Sequence, residues 1–117
     1  MLRKNLELSQ CIDLAPEHGA GKMLHETLFA KTEFGIKCIH LCARMTLEPG
    51  ASVGPHTHYD ENEIYYIISG HGTVLDNGTR LDIGPGDSTL TLHGQTHDIE
   101  NNDTEPLVFL AIVLGLD

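Results

Sequence analysis

His56, His58, Glu63 and His97 are the residues whose types and spacing could do chemistry. His56 and His58 flank Thr57, so on an extended segment both side chains leave the same face. Glu63 opens the run Glu63-Ile64-Tyr65-Tyr66-Ile67-Ile68. Its alternation sets Glu63, Tyr65 and Ile67 on one face and Ile64, Tyr66 and Ile68 on the other. A carboxylate heading an apolar strand is costly to bury unless it is paired or metal-bound. With two imidazoles close by in sequence, a metal is the simplest partner. His97, at the head of His97-Asp98-Ile99-Glu100-Asn101, would complete a set of three neutral imidazoles and one carboxylate. That set suits Mn, Fe, Co, Ni, Cu or Zn and not Ca or Mg. Its affinity is expected to fall as pH drops below about 6.5, because the imidazoles must be neutral to bind. A lone His-x-His is weak, since most such pairs are solvated loop residues; what surrounds it decides.

The elements that must position these residues are short. Gly and Pro punctuate the second half: Pro49-Gly50, Ser69-Gly70-His71-Gly72, Gly84-Pro85-Gly86-Asp87, His93-Gly94-Gln95. Asp76-Asn77-Gly78 is a strong hairpin signal. Between these turns the pattern predicts strands at about 63–69, 71–76, 79–83, 88–92, 97–101 and 107–114. Many short strands at this spacing argue for an all-β barrel or sandwich. Phe34 to Leu47 is nearly all apolar and reads as one or two strands, residues 24–30 as a further strand, and residues 1–12 as an arm. His18-Gly19-Ala20-Gly21-Lys22 reads as a flexible loop; Met23 after the lysine and the missing upstream glycine rule out a phosphate loop.

The glycine frame around the histidines resembles the cupin superfamily. Its first motif is met in full by Gly50, His56-Thr57-His58, Glu63 and Gly70. Its second is met by Gly86, Gly94, His97 and Asn101, with Leu92 where the family has proline. The short stretch between Gly70 and Gly86 looks like small microbial single-domain cupins, loosely described as oxalate-decarboxylase-like. The resemblance implies a double-stranded β-helix, the jelly-roll cupin barrel, over residues 31–117, with an N-terminal arm and edge strands over 1–30, in one domain overall. It implies that His56, His58, Glu63 and His97 carry one divalent transition metal, Mn or Fe foremost, with Ni, Zn, Co and Cu also accepted. Positions left open on the metal would take water or a small carboxylate or sugar-like ligand. The reaction class, oxalate-decarboxylase-like, dioxygenase or isomerase, does not follow from the fold. A non-catalytic, metal-dependent binding or sensing domain is the alternative. Small cupins associate as dimers, often by exchanging N-terminal strands, so a homodimer is expected.

Three further residues are candidates for the cavity lining. His40 and Arg44 lie four apart, hence on one strand face; if that face lines the barrel, Arg44 could clamp an anion, and if it faces outward both are surface residues. Tyr65 shares the parity of Glu63 and could donate to a bound anion, or simply pack in the core. His18, His25 and His93 read as solvated loop or edge residues, and His71 as a turn residue.

Composition narrows the class. The 117 residues carry 7 Lys plus Arg against 17 Asp plus Glu, a net charge of −10, which repels phosphate backbones and argues against nucleic-acid binding. No apolar run approaches the ~20 residues of a membrane-spanning helix, and the first residues show no signal-peptide pattern. Cys11, Cys38 and Cys42 are an odd number without a second zinc-type pair and read as reduced thiols. A cytoplasmic location is expected.

Overall fold

The structure, a computed structural model, describes residues 1–117. Ten strands form it: β1 (Ser9–Leu14), β2 (Lys22–Thr27), β3 (Ile39–Leu47), β4 (Ser52–Thr57), β5 (Glu61–Ser69), β6 (Gly72–Asp76), β7 (Thr79–Ile83), β8 (Ser88–Thr91), β9 (Thr96–Glu100) and β10 (Leu107–Gly115). Single 3₁₀ turns at Asn5–Glu7, Pro16–His18 and Lys31–Glu33 are the only helical pieces. One sheet has six strands in the order β1-β2-β3-β10-β5-β8, the other four in the order β4-β9-β6-β7. Every pairing within them is antiparallel. The two sheets close on each other as a double-stranded β-helix.

Period-two patterning decides what each sheet buries. On β3, Ala43, Met45 and Leu47 point inward; on β10, Leu107, Phe109 and Ala111; on β5, Tyr65 and Ile67. Val74 and Ile99 meet them from the smaller sheet. Each fully buried Leu, Ile, Val, Met or Phe among them stabilises the fold by roughly 1.5–3 kcal/mol. Asn77-Gly78 turns β6 into β7, with φ of 47° and 100°, the pair of positive values that a two-residue I′ hairpin demands. The four motif glycines, Gly50, Gly70, Gly86 and Gly94, all have φ between 80° and 87°.

Several sequence expectations need correction. The apolar segment from Phe34 forms strand only from Ile39, following the 3₁₀ turn and a bend. The arm at 1–12 is strand from Ser9 onward, forming the edge of the large sheet. The His-rich segment after Gly50, absent from the strands the pattern predicts, forms β4, paired to β9 with a register shift between Val53 and His56. Pro55 cannot donate a ladder hydrogen bond, which accounts for the irregularity and hides the strand pattern. The supposedly flexible stretch around His18 is a strap pressed onto β4. Ala20 bridges to Ser52, and a Cβ on Gly54 would lie 2.2 Å from the Glu17 carbonyl oxygen, so only glycine permits the approach.

Leu92 replaces the family proline without loss of the turn. The Gln95 side chain accepts from the Leu92 N–H at 2.9 Å, and the Gln95 N–H donates to the Leu92 carbonyl at 3.0 Å. Asn101, 1% exposed and just after β9, donates to the Leu47 and Glu105 carbonyls and ties the end of β9 to the end of β3 and to the loop that leads into β10.

Candidate metal centre

The two sheets contribute different ligands to one point. β4 and β9 place His56 directly opposite His97. His58 follows one residue after β4 ends, and Glu63 lies on β5 of the large sheet, opposite Val113 and Thr91. His58 Nε2 lies 2.8 Å from Glu63 Oε1, His97 Nε2 lies 3.0 Å from the same oxygen, and His97 Nε2 lies 3.0 Å from His56 Nε2. Glu63 is 5% exposed and His97 2%.

One ligand atom from each of the four residues lies within 4.8 Å of the other three, so one ion could be held by all four. Three imidazole nitrogens and a carboxylate oxygen form a donor set for a divalent transition metal and not for Ca or Mg.

The surroundings aim the ligands inward. His56 Nδ1 bonds the Gly54 carbonyl at 2.8 Å, His58 Nδ1 bonds Glu61 at 3.1 Å, and His97 Nδ1 lies 2.9 Å from the Thr91 hydroxyl. A ring whose Nδ1 donates outward presents a bare Nε2 when neutral. Three such lone pairs facing one carboxylate oxygen repel each other unless a cation or protons stand between them. Without a metal, protons do so. The Glu63 carboxylate holds the His58 pKa up at about 9, against the opposing effect of burial. Burial lowers that of His56. Burial pushes Glu63 up, but the bonds from His58 and His97 outweigh it and leave Glu63 below the usual carboxylate range.

Two more contacts fix the frame. Tyr65 stacks on the His97 ring, centroids 5.0 Å apart and planes 18° apart. Asp98, on the opposite face of β9, is 1% exposed and takes a two-pronged bond from Arg80 at 2.9 Å. That clamp holds β9, and therefore His97, against β6 and β7.

A cavity of about 200 Å³ opens beside the cluster. His56, His58, Glu63 and Tyr65 form one wall; Leu41, Met45, Val53, Phe109, Ala111 and Val113 form much of the rest. Asp13, from the end of β1, and Glu17, from the strap, sit at its edge.

A sequence-family model described as "Cupin domain" matches residues 43–113. The chain belongs to the cupin family. An oxalate-binding protein of Thermotoga maritima is 43% identical to this cupin over 98 residues, 84% of this chain and 80% of that one. A crystal structure described as a predicted oxalate decarboxylase from Thermotoga maritima superposes with a TM-score of 0.94 at 37% identity, covering 99% of this chain and all of the other. A 5-aminosalicylate 1,2-dioxygenase from Comamonas sp. is 32% identical over 68 residues, 58% of this cupin and 18% of that enzyme.

Of the further candidates, only Tyr65 lines the cavity. Burial raises its pKa well above 10, so it is a hydrogen-bond donor at neutral pH. Arg44 lies on the outer face of β3, where Nε donates to Glu26 at 3.0 Å and a terminal nitrogen reaches Asn5; it cannot clamp a ligand in the barrel. His40 also points away from the cavity: its Nδ1 is 2.5 Å from Glu61 Oε2, and its Nε2 bonds the Leu116 carbonyl. Their even numbering against inward-facing Ala43 and Met45 explains both placements. His25 is part of no loop; it lies within the large sheet opposite Cys11, with its Nδ1 3.6 Å from Asp13. All three cysteines are free, and burial raises Cys42.

Sequence reasoning missed Glu61, Thr91, Asp13 and Glu17. Glu61 carried a usable signal, since it shares the parity of Glu63. Thr91 did not stand out, being one of three hydroxyl residues in Ser88-Thr89-Leu90-Thr91. Asp13 and Glu17 carried none, because only the folding of the strap over the barrel mouth brings them to the cavity.

Proposed function

We propose that this cupin binds one divalent transition metal, Mn or Fe foremost, through His56, His58, Glu63 and His97, and acts as a metal-dependent enzyme on a small carboxylate. The observation that carries the reading is the convergence of three outward-anchored imidazoles on one buried carboxylate, with all four donor atoms within 4.8 Å of one another. A metal bound there supplies Lewis acidity, polarising a chelating carboxylate or hydroxy-carbonyl group. The chain's own residues do the rest. Glu61, Thr91 and the Gly54 carbonyl keep the three rings aimed. Tyr65 holds a proton beside His97 and can donate it in a hydrogen bond to a bound oxygen. The wall of Leu41, Phe109 and Val113 keeps water away from the reacting group. The names of the relatives support the small-carboxylate class. Decarboxylase-like and dioxygenase chemistry are the reaction classes to screen first, and isomerisation the next.

The test is elemental analysis of untagged protein purified without added metal, beside His97→Ala. About one Mn or Fe per chain in the parent, lost in the variant, is the expected result, followed by turnover of a small acid that His58→Ala lacks. No metal in either protein after incubation with excess ion would overturn the reading. A metal-loaded protein that binds oxalate-like acids but turns none over would favour the binding-domain reading, which the name of the Thermotoga maritima relative also supports.

Two copies are expected to associate through the outer face of the large sheet. There Ile12, Tyr66, Ile68 and Leu90 are 45–57% exposed, and Ile64, Leu110 and Ile112 lie half-buried between them. Six strands about 4.8 Å apart and about seven residues long on average span roughly 700 Å², close to the ~800 Å² that each partner gives to a standard interface. A cytoplasmic location agrees with the three free thiols, and a net charge of −10 disfavours nucleic acid and anionic membrane surfaces as partners.

A further inference from the structure

We infer that the cavity selects a monoanionic chelator with a short aliphatic body, a 2-oxo- or 2-hydroxy-monocarboxylate of about four or five carbons, over a dicarboxylate, a sugar or a sugar phosphate. The inference rests on the metal-site reading above and narrows its ligand class.

Charge is the first ground. No Lys or Arg lines the cavity. All seven cationic side chains are accounted for elsewhere. Arg3 is paired with Glu33, Arg44 with Glu26 and Arg80 with Asp98, while Lys4, Lys22, Lys31 and Lys37 are exposed. A phosphate, or the far carboxylate of a dianion too long to chelate through both ends, would therefore meet no cation beyond the metal, and it would meet the carboxylates of Asp13 and Glu17 at the rim; oxalate, with both carboxylates on the metal, is disfavoured by the charge balance alone. The balance inside is plain. A divalent ion with Glu63 leaves a single positive charge, which a monoanion neutralises and a dianion overshoots. Uncompensated charge in an apolar site is costly.

The second ground is the lining. Eight of the fourteen residues around the cavity are hydrophobic. The wall facing the ligand cluster, with Leu41, Met45, Phe109, Ala111 and Val113, offers no side-chain partner for the hydroxyls of a sugar, whereas a buried hydroxyl needs one. It does reward aliphatic carbon, by about fourfold in affinity per methylene buried. Size is the third ground. About 200 Å³ is below the ~300 Å³ floor of drug-sized sites and holds about six or seven groups at the ~30 Å³ of a water molecule. That is the size of 2-oxobutanoate or slightly less than 3-methyl-2-oxobutanoate.

The test is calorimetric titration of the Mn-loaded chain with oxalate, pyruvate, 2-oxobutanoate, 3-methyl-2-oxobutanoate and glyceraldehyde 3-phosphate, read as binding and independent of turnover. Affinity should rise about fourfold from pyruvate to 2-oxobutanoate, should stay above that of oxalate, and should be absent for the phosphate. Ala111→Asp, which adds an anion to the apolar wall, should abolish 2-oxo acid binding; Val113→Ala, which enlarges the cavity, should shift the optimum to a longer chain. Oxalate binding more tightly than every monocarboxylate would overturn the inference and leave the proposed function standing. A chain that holds its metal and binds none of the acids would overturn the small-carboxylate reading and this inference with it, and a chain that takes no metal would overturn the metal-site reading on which both rest.

Discussion

Glu61 is the most informative residue to perturb, because it is not itself one of the four metal-site residues yet holds His58 at 3.1 Å and His40 on its other oxygen. Its removal frees the His58 ring to rotate and to change tautomer. A hydrogen bond to a charged group contributes about 1.5–3 kcal/mol. Glu61 is 29% exposed on its side chain, so solvent screening puts the expected loss at the lower end, about 1.5 kcal/mol. At about 1.4 kcal/mol per factor of ten, Glu61→Ala should weaken metal binding about tenfold, the low edge of the 10–100-fold range for partners that orient metal ligands. Glu61→Gln keeps an acceptor oxygen and should lose about threefold. The assay is competition for Mn or Co against a fluorescent chelator, with Glu33→Ala as a control for net charge, since Glu33 pairs only with Arg3 and the nearby backbone. Protonation adds a signature. The proton on His58, held up to about 9 chiefly by Glu63 and secondarily by Glu61, competes with the ion. Removing Glu61 weakens that competitor too, so the loss should be larger near pH 9 than near pH 7. An Ala variant within twofold of the parent near pH 9 would refute the orienting argument.

Two other outcomes are expected. Glu26 is buried on the outer face, and its pKa is lowered chiefly by the Arg44 guanidinium and further by Gln10, against its burial. A depressed carboxylate contributes stability above its unfolded value and loses it below about pH 4.5. Glu26→Gln should therefore lower stability by about 1–2 kcal/mol at pH 7 and flatten the acid limb in thermal melts; an unchanged limb would remove the assignment. Ile112→Lys puts a charge in the middle of the apolar outer face, between Cys42 and Ile64. Light scattering at micromolar concentration should report a monomer with an unchanged melting profile of the barrel itself, and a parent that is already monomeric would sink the dimer.

What the sequence determined by itself is the local chemistry. His56, His58 and Glu63 lie within eight residues of one another, so strand parity and the cost of burying Glu63 point to a shared metal before any fold is known. The turn glycines and Asn77-Gly78 likewise carry their positive φ as a local steric requirement, and each is where the pattern put it. That His97 belongs with them rested on a family spacing, and the pairing of β4 with β9 gives the physical reason. What only the tertiary structure decided is which face of each strand meets which sheet. Residues 34 to 47 carry apolar side chains on both faces, and one face of β3 lines the barrel while the other lies on the outer surface. Parity could say that His40 and Arg44 share a face; it could not say that the face looks outward, toward Glu26 and Glu61. The charge of the cavity was hidden for the same reason. Asp13 and Glu17 reach its rim through β1 pairing with β2 at the sheet edge and through the strap crossing Gly54, a contact between residues 37 apart.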